Sequence, residues 1–435
     1  MIDLNLIKQN PEIFKKTCQQ KRITNFDIEQ TLALDQERRI LIQQIENIKQ
    51  QKNAASKKIP TLNGDEKQKV LAEMQTIGKN QKELEDKLAQ IEKTMNYQLL
   101  RCPNPCSDKT PEGKDDKENK ELYKWGELPK FNFAIKDHVQ LGKDLDIIDM
   151  ERGVKIAGSR FYFLKGDGAR LEMAIFLYTL DKLVKKGFTP FIVPLLVGYE
   201  AMMGTSYFPG GEEQAYALGV DRKTDGHIES DGKYLIGTSE VSVTSYHRDE
   251  ILEEGDLPKL YCGYSPCFRR EAGTYGKDTH GLYRIHQFQK VEQVIICKND
   301  DEESEKMHQM ILKNAEEVLQ DLKLPYHVVA VCTGDMGQGQ FYKNDIETWM
   351  PSRNSYGETH SCSTFHEFQA RRLNLKYRDK DGKVKFCHTL NNTCIASPRI
   401  LIPILEIYQN QDGSVTIPEV LRSYMGKKEK IEKKL

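Results

Sequence analysis

Neither sign of charge dominates this chain: 64 Lys and Arg stand against 65 Asp and Glu in 435 residues. With no global field to draw in a polyanion, any contact with nucleic acid must use a local surface. No stretch approaches the roughly 20 apolar residues that a membrane-spanning helix needs. The opening MIDLNLIKQN has an early acid and no long apolar run, so it does not read as a secretory signal. The expectation is a soluble, cytoplasmic protein with no membrane role. The ten cysteines lack a framework: Cys102 and Cys106 form a close pair, but no second pair stands at zinc-ribbon distance. Free thiols in a reducing compartment follow. No GxxxxGK(S/T) is present, and no GxGxxG-type loop in a strand-to-helix setting, so an ATP site here is neither a P-loop nor a Rossmann crevice.

What the chain does have is length for two or more domains and a strong early periodicity. Val70, Met74, Ile77, Leu84, Leu88, Ile91 and Met95 follow coiled-coil spacing, with Gln81 at the one polar position. Leu34, Leu41, Ile45, Ile48, Ala55 and Ile59 form a second stripe, and the turn signal Pro60-Thr-Leu-Asn-Gly-Asp65 lies between them. Two long helices folding back as an antiparallel hairpin are predicted for residues 1–103. From the pattern alone this arm is as well a dimerisation coil or strut as a binding element. Lys49, Lys52, Lys57 and Lys58 gather near its tip, where they can meet phosphates or merely solvate a helix face. Residues 104–130, poor in apolar side chains, read as a linker. From 131 to 435 short strand candidates alternate with helical segments and Gly-rich turns, which predicts an α+β fold with a mixed, mostly antiparallel sheet flanked by helices.

The most informative stretch runs from Cys267 to Glu292. Arg269 can fork two hydrogen bonds onto a phosphate or carboxylate. Glu271, expected on the same strand face at spacing two, can accept from an amino group. A Gly-rich polar loop follows, then a strand beginning near His286. Arg-x-Glu alone is more often a surface pair. The whole run, including Phe268-Arg269, Glu271-Ala272-Gly273, Asp278-Thr279 and Gly281-Leu282, resembles the motif 2 hairpin of class II aminoacyl-tRNA synthetases in its seryl form. That resemblance implies Arg269 on the α-phosphate and the serine carboxylate, with Arg270 beside it. It implies Glu271 on the adenine amino group and the loop from Ala272 to Tyr283 at the acceptor end of tRNA.

Other segments follow in the order this family requires. Gly187 to Pro194 is similar to motif 1, which the family uses at its homodimer interface; alone it is an ordinary Pro-ended edge strand. Thr238-Ser239-Glu240 looks like the family's Thr-x-Glu element of the amino-acid pocket, and its spacing points Thr238 and Glu240 to one face of a strand. Glu358-Thr359-His360-Ser361, with the Phe368-Gln-Ala-Arg-Arg372 tail, resembles the element that lines the ATP site, where Glu358 and Ser361 inherit a divalent ion. Few oxygen ligands suit Mg²⁺. Thr389 to Arg399 resembles motif 3. There Arg399 is implied to stack beside adenine and pair the γ-phosphate, and Asn391, Thr393 and Glu292 to line the serine pocket. Thr393 stands where the common bacterial form has Ser, and Pro398 precedes the arginine.

The resemblance covers essentially the whole chain and implies a homodimeric class II seryl-tRNA synthetase. It would activate L-serine with ATP and Mg²⁺ and charge tRNA(Ser), and also tRNA(Sec) where present, gripping the tRNA with the N-terminal arm. The alternatives are a carrier-protein ligase, which would lack the full arm, and a catalytically weakened paralogue that binds RNA. Loss of Arg269, Glu271, Glu358 or Arg399 would favour the paralogue, and all four are present.

Overall fold

The computed structural model describes residues 1–221, 228–273 and 280–433. Two compact units divide the chain, Met1–Pro103 and Asn104–Leu435. The first is helical: α1 (Leu4–Gln9), α2 (Pro11–Gln20), α3 (Ile28–Lys58) and α4 (Gly64–Leu99). Asp27 opens α3 by accepting from the Gln30 amide at 2.9 Å, which satisfies one of the helix's orphan N–H groups. At about 1.5 Å per residue, the 31 residues of α3 and 36 of α4 reach roughly 46 and 54 Å. A short 3₁₀ turn at Ile59–Thr61 and Gly64, at φ 57°, reverse the chain between them.

Two helices alone cannot enclose a core, and burial records this. Leu41, Ile45, Ile48, Met95 and Leu99 are buried, whereas Ala55, Ile59, Val70, Met74, Ile77, Leu84 and Leu88 are only half-covered. The polar seam position is paired across the hairpin: Lys52 Nζ donates to Gln81 Oε1 at 3.0 Å. Lys52 thereby turns into the seam, while Lys49, Lys57 and Lys58 stay exposed.

The second unit is built on an eight-stranded sheet: β1 (Lys120–Trp125), β2 (Thr189–Ile192), β3 (Lys259–Phe268), β4 (Gln287–Cys297), β5 (Tyr326–Ala330), β6 (Tyr342–Met350), β7 (Ser355–His366) and β8 (His388–Ser397). Their order is β1-β5-β6-β7-β8-β4-β3-β2, antiparallel throughout except for β2 beside β3. Helices α5 (His138–Asp144), α6 (Met150–Ala157), α7 (Asp167–Lys185), α8 (Tyr199–Gly204), α9 (Glu240–Thr244), α10 (Asp301–Asp321), α11 (Phe368–Leu373) and α12 (Leu401–Ile407) surround it. One core lies between the sheet and α7, α10 and α12, with Leu171, Ile175, Ile295, Ile311, Val318, Ile346 and Ile404 at its heart. This is the expected α+β architecture.

The expected linker is a correction. Residues 104–130 belong to the second unit, and β1 is an edge strand of its sheet, paired to β5 from Lys120↔Ala330 to Trp125↔Tyr326. Asn104, buried, anchors the start of the segment by donating to the carbonyls of Gly339 and Phe365 at 3.0 and 2.9 Å. Five of the six β1 residues are exposed, so an edge strand with little to bury carries no apolar signature.

Candidate active site

The antiparallel floor of β4, β8, β7 and β6 faces a cavity of about 350 Å³, within the range of small-molecule sites. Phe288, Lys290 and Glu292 alternate along β4 toward it, and Asn391 and Thr393 do the same from β8. On β7 the pattern needs an irregularity. Residues 358 and 361 are three apart and would face opposite sides of a regular strand. The β6–β7 register shifts between Ile346↔His360 and Glu347↔Glu358, leaving Thr359 as the extra residue. This bulge puts Glu358, Ser361 and Ser363 on one face. The Thr359 hydroxyl is engaged with Thr348 at 2.6 Å inside the sheet.

Arg269 and Glu271 enter from the end of β3. The strand stops at Phe268, and the last rung is the Arg269 amide donating to the His286 carbonyl at 2.9 Å. Glu271 lies beyond it at φ 50°, so the expected shared strand face is corrected: a left-handed turn, not strand alternation, brings Glu271 to the cavity. Its carboxylate accepts from Arg284 Nη1 at 3.1 Å. Arg399, after β8, donates from Nη1 to the Glu358 carbonyl at 2.9 Å and from Nε to the Tyr283 carbonyl at 3.2 Å. Its guanidinium carbon lies 4.5 Å from the Tyr283 ring centre, a cation–π contact. Burial alone would raise the Glu358 carboxyl, but Arg399, Lys343, Arg269 and Arg284 outweigh it and hold it below the usual carboxylate range.

The Thr-x-Glu element also departs from expectation. Thr238 lies in a loop and Glu240 begins α9, so no strand face is shared. The Thr238 hydroxyl accepts from the Glu240 amide at 3.3 Å, and the Glu240 side chain turns into the cavity. There it accepts from Tyr207 at 3.1 Å and Gln369 at 2.8 Å. Burial first and nearby Glu292 second push Glu240 up to about 7. Below it lies a triangle: Lys290 Nζ is 2.5 Å from Glu292 and 3.2 Å from Thr393 Oγ1, and that hydroxyl donates to Glu292 at 3.1 Å.

Ten of the fourteen residues assigned from the sequence to ATP, serine or the metal therefore line one cavity: Arg269, Glu271, Glu358, Thr359, Ser361, Arg399, Glu240, Glu292, Asn391 and Thr393. Four do not. Arg270 is exposed, and its amide pairs with the Gln214 carbonyl. Ser239 is buried against the Gly263 carbonyl, and Thr238 supports the turn. His360 is buried on the sheet's other face, pushed down to about 3 by burial and bonded to Thr359 at 2.8 Å. Asp278, Thr279 and most of the loop between Ala272 and Tyr283 lie outside the described residues.

The model described as tRNA synthetase class II core domain (G, H, P, S and T) matches residues 223–408, and that described as Seryl-tRNA synthetase N-terminal domain matches residues 1–106. The serine–tRNA ligase of Dictyoglomus turgidum is 42% identical over 429 residues, covering 98% of each chain. That of Thermodesulfovibrio yellowstonii is 44% identical over 432 residues, covering 98% of this chain and 99% of its own. The chain belongs to the seryl-tRNA synthetase family.

Solved members of the seryl-tRNA synthetase family share the fold over the whole length. The Pyrococcus horikoshii seryl-tRNA synthetase complexed with ATP matches with a TM-score of 0.91 at 37% identity, covering 100% of both chains. The cytoplasmic serine–tRNA ligase of Naegleria fowleri in complex with AMP matches at 0.86 and 31%, covering 100% of this chain and 99% of its own.

Sequence reasoning missed several cavity residues: Lys290, Lys343, Tyr207, Arg284 and Tyr283. Lys290 was legible in principle, two positions before Glu292 on one strand. Tyr207 had no local signal, because only the packing of α8 near α9 brings it there. A third cluster tempts a metal reading and fails it. Asp301, His366 and His388 bring ligand atoms within 4.8 Å of one another. The two imidazoles are stacked 4.5 Å apart at 8°. A nitrogen lone pair binds an ion in its own ring plane, and two stacked parallel planes have no point in common.

Proposed function

We propose that this chain is a serine–tRNA ligase: it activates L-serine with ATP and transfers the seryl group to tRNA(Ser), and to tRNA(Sec) where that tRNA exists. One observation carries the reading. A single cavity gathers Arg269, Arg399 and Glu358, suited to a bent triphosphate, and Glu240, Glu292 and Thr393, suited to a small hydroxylated amino acid.

In the first step an oxygen of the serine carboxylate attacks the α-phosphorus, the bond to the bridging oxygen breaks, and pyrophosphate leaves. No proton need move, so the protein's task is alignment and charge screening. Arg269 bridges the serine carboxylate and the α-phosphate. Arg399, stacked on Tyr283, meets the γ-phosphate, and Glu271 accepts from the adenine amino group. Glu240 and Glu292 face the substrate ammonium, and Thr393 with Glu292 pairs the serine hydroxyl. Alanine would leave these buried partners stranded. In the second step a terminal ribose hydroxyl of tRNA attacks the seryl carbonyl and AMP leaves; we assign no protein base to it.

The donor set fits Mg²⁺, a hard ion that takes few protein oxygens and leans on phosphate. The Glu358 carboxylate and Ser361 hydroxyl share the cavity face, and Asp345, opposite Ser361 in the β6–β7 register, buries its Oδ1 with no hydrogen-bond partner among the described residues. Glu358 and Ser361 would hold the ion, which supplies positive charge to the triphosphate. The exposed Lys49, Lys57 and Lys58 near the arm's tip suit the backbone of a long RNA stem, read by shape. Ile192 on edge strand β2 is 92% exposed, and Met173 and Leu177 on α7 are also uncovered, which supports a homodimer across that edge. All ten free thiols fit the cytoplasm.

The test is serine-dependent exchange of pyrophosphate into ATP over a panel of amino acids, with charging of tRNA(Ser) alongside. Exchange with serine but not alanine, threonine or proline is expected; another preferred amino acid overturns the substrate. Reversing Lys49, Lys57 and Lys58 to Glu is expected to depress charging and leave exchange intact.

A pH dependence follows from Glu240. The ionised carboxylate is the form that pairs an ammonium, and this group sits at about 7 in the free protein. Above that pH the serine KM is expected to be flat. Below it, each pH unit protonates Glu240 further, and the KM is expected to rise about tenfold per unit. Glu240→Gln is expected to raise the KM and remove the slope; a slope that survives in the variant would assign it to another group.

A further inference from the structure

Outside the cavity, Glu406 at the end of α12 is completely buried and accepts four hydrogen bonds. They come from the amides of His138 at 3.0 Å and Ser352 at 2.9 Å, the Ser352 hydroxyl at 2.8 Å and the His138 ring at 2.8 Å. The other ring nitrogen of His138, Nε2, stands 3.1 Å from the amide of Leu282. A backbone N–H can only donate, so Nε2 must carry the lone pair and Nδ1 the proton that goes to Glu406. The tautomer is fixed from both sides. Gly281, at φ 70°, is required at the same spot, because a Cβ there would lie 2.1 Å from His138 Nε2.

Leu282 is the return limb of the motif 2 loop, and the next residue is Tyr283. The Tyr283 carbonyl accepts from Arg399 Nε, and its ring lies beneath the guanidinium groups of Arg399 and, at 4.3 Å, Arg353. Arg353 follows Ser352, which Glu406 also holds. Since α12 begins two residues after Arg399, the contacts close on themselves: Arg399, α12, Glu406, His138, Leu282, Tyr283 and Arg399 again. His138 is not among the residues that line the cavity.

We infer that His138 is a positioning residue for Arg399: by holding the Leu282 amide it fixes Tyr283, and Tyr283 sets the guanidinium that meets ATP. The inference rests on the cavity being the ATP site. Two substitutions separate its two ring nitrogens. His138→Asn keeps a donor where Nδ1 stood and removes the acceptor. His138→Gln offers an acceptor where Nε2 stood and removes the donor.

The experiment is steady-state pyrophosphate exchange with ATP and serine varied separately, alongside thermal unfolding. His138→Asn is expected to raise the ATP KM about tenfold, the worth of one hydrogen bond, with the serine KM near its original value. His138→Gln is expected to raise the ATP KM less. An unchanged ATP KM in His138→Asn, equal rises for both substrates, or a larger defect in His138→Gln each overturns the inference while exchange by the unaltered enzyme upholds the function. No serine-dependent exchange by the unaltered enzyme overturns both. Should His138→Asn fail to fold, Gly281→Ala crowds the same nitrogen and is expected to raise the ATP KM selectively; unchanged ATP use in it counts against the inference.

Discussion

Arg269→Ala is expected to lower kcat/KM for serine-dependent pyrophosphate exchange by about a thousandfold, with little change in melting temperature. The side chain leaves the end of β3 with Nε donating to the Gly237 carbonyl at 3.3 Å and the guanidinium 5.3 Å from the Phe288 ring centre. These contacts orient the planar fork, and among the described residues no carboxylate pairs with it, so its remaining donors can serve an oxyanion. Truncation removes a positive charge at the place where the serine carboxylate and the α-phosphate, both anionic, must approach. That repulsion is largest as the new bond forms, so the loss falls on the chemical step as well as on binding. Arg269→Lys restores charge but not the fork and is expected to recover only a small part. Exchange kinetics for the variants check both statements. A fall of less than about tenfold in Arg269→Ala would remove this side chain from the α-phosphate.

How much of this was visible in the sequence depends on what each residue's neighbours contribute. The arm was legible because a coiled-coil seam repeats its signal over many turns, and Gln81, its one polar position, found a partner in Lys52. The α+β class and the convergence of Arg269, Glu358 and Arg399 followed from ordered motifs. Segment 104–130 was misread because apolar content measures burial, and an edge strand exposed on both faces has little. Thr238 and Glu240 were assigned to one strand face by period two, yet the chain has already turned into α9 there. Glu358 and Ser361 violate period two and still share a face, since a bulge at Thr359 restores the phase. Local alternation cannot reveal a bulge, because the shift exists only relative to the partner strand. His138 and Glu406 lie 268 positions apart, and no window of sequence joins them.

Glu292→Ala is expected to have two separable effects, one on the fold and one on serine. In the folded protein Glu292 is nearly inaccessible and neutralises Lys290, itself buried, while accepting from Thr393. Removing it leaves an ammonium without its counter-charge inside the sheet's cavity face, which costs about 3–5 kcal/mol. The melting temperature should fall accordingly. It also removes the acceptor that fixes the Thr393 hydroxyl proton, so the serine hydroxyl meets a disordered partner. Serine kcat/KM is expected to fall by on the order of 10³, and the preference over alanine to shrink with it. The ATP KM should change little, because Glu358, Arg269 and Arg399 are untouched. Adding Lys290→Met to Glu292→Ala removes the stranded charge, so the pair should regain most of the lost stability by thermal unfolding while serine use stays low. If serine use returned together with stability, Glu292 would be a structural counter-ion for Lys290, and recognition of the hydroxyl would have to be sought elsewhere in the cavity.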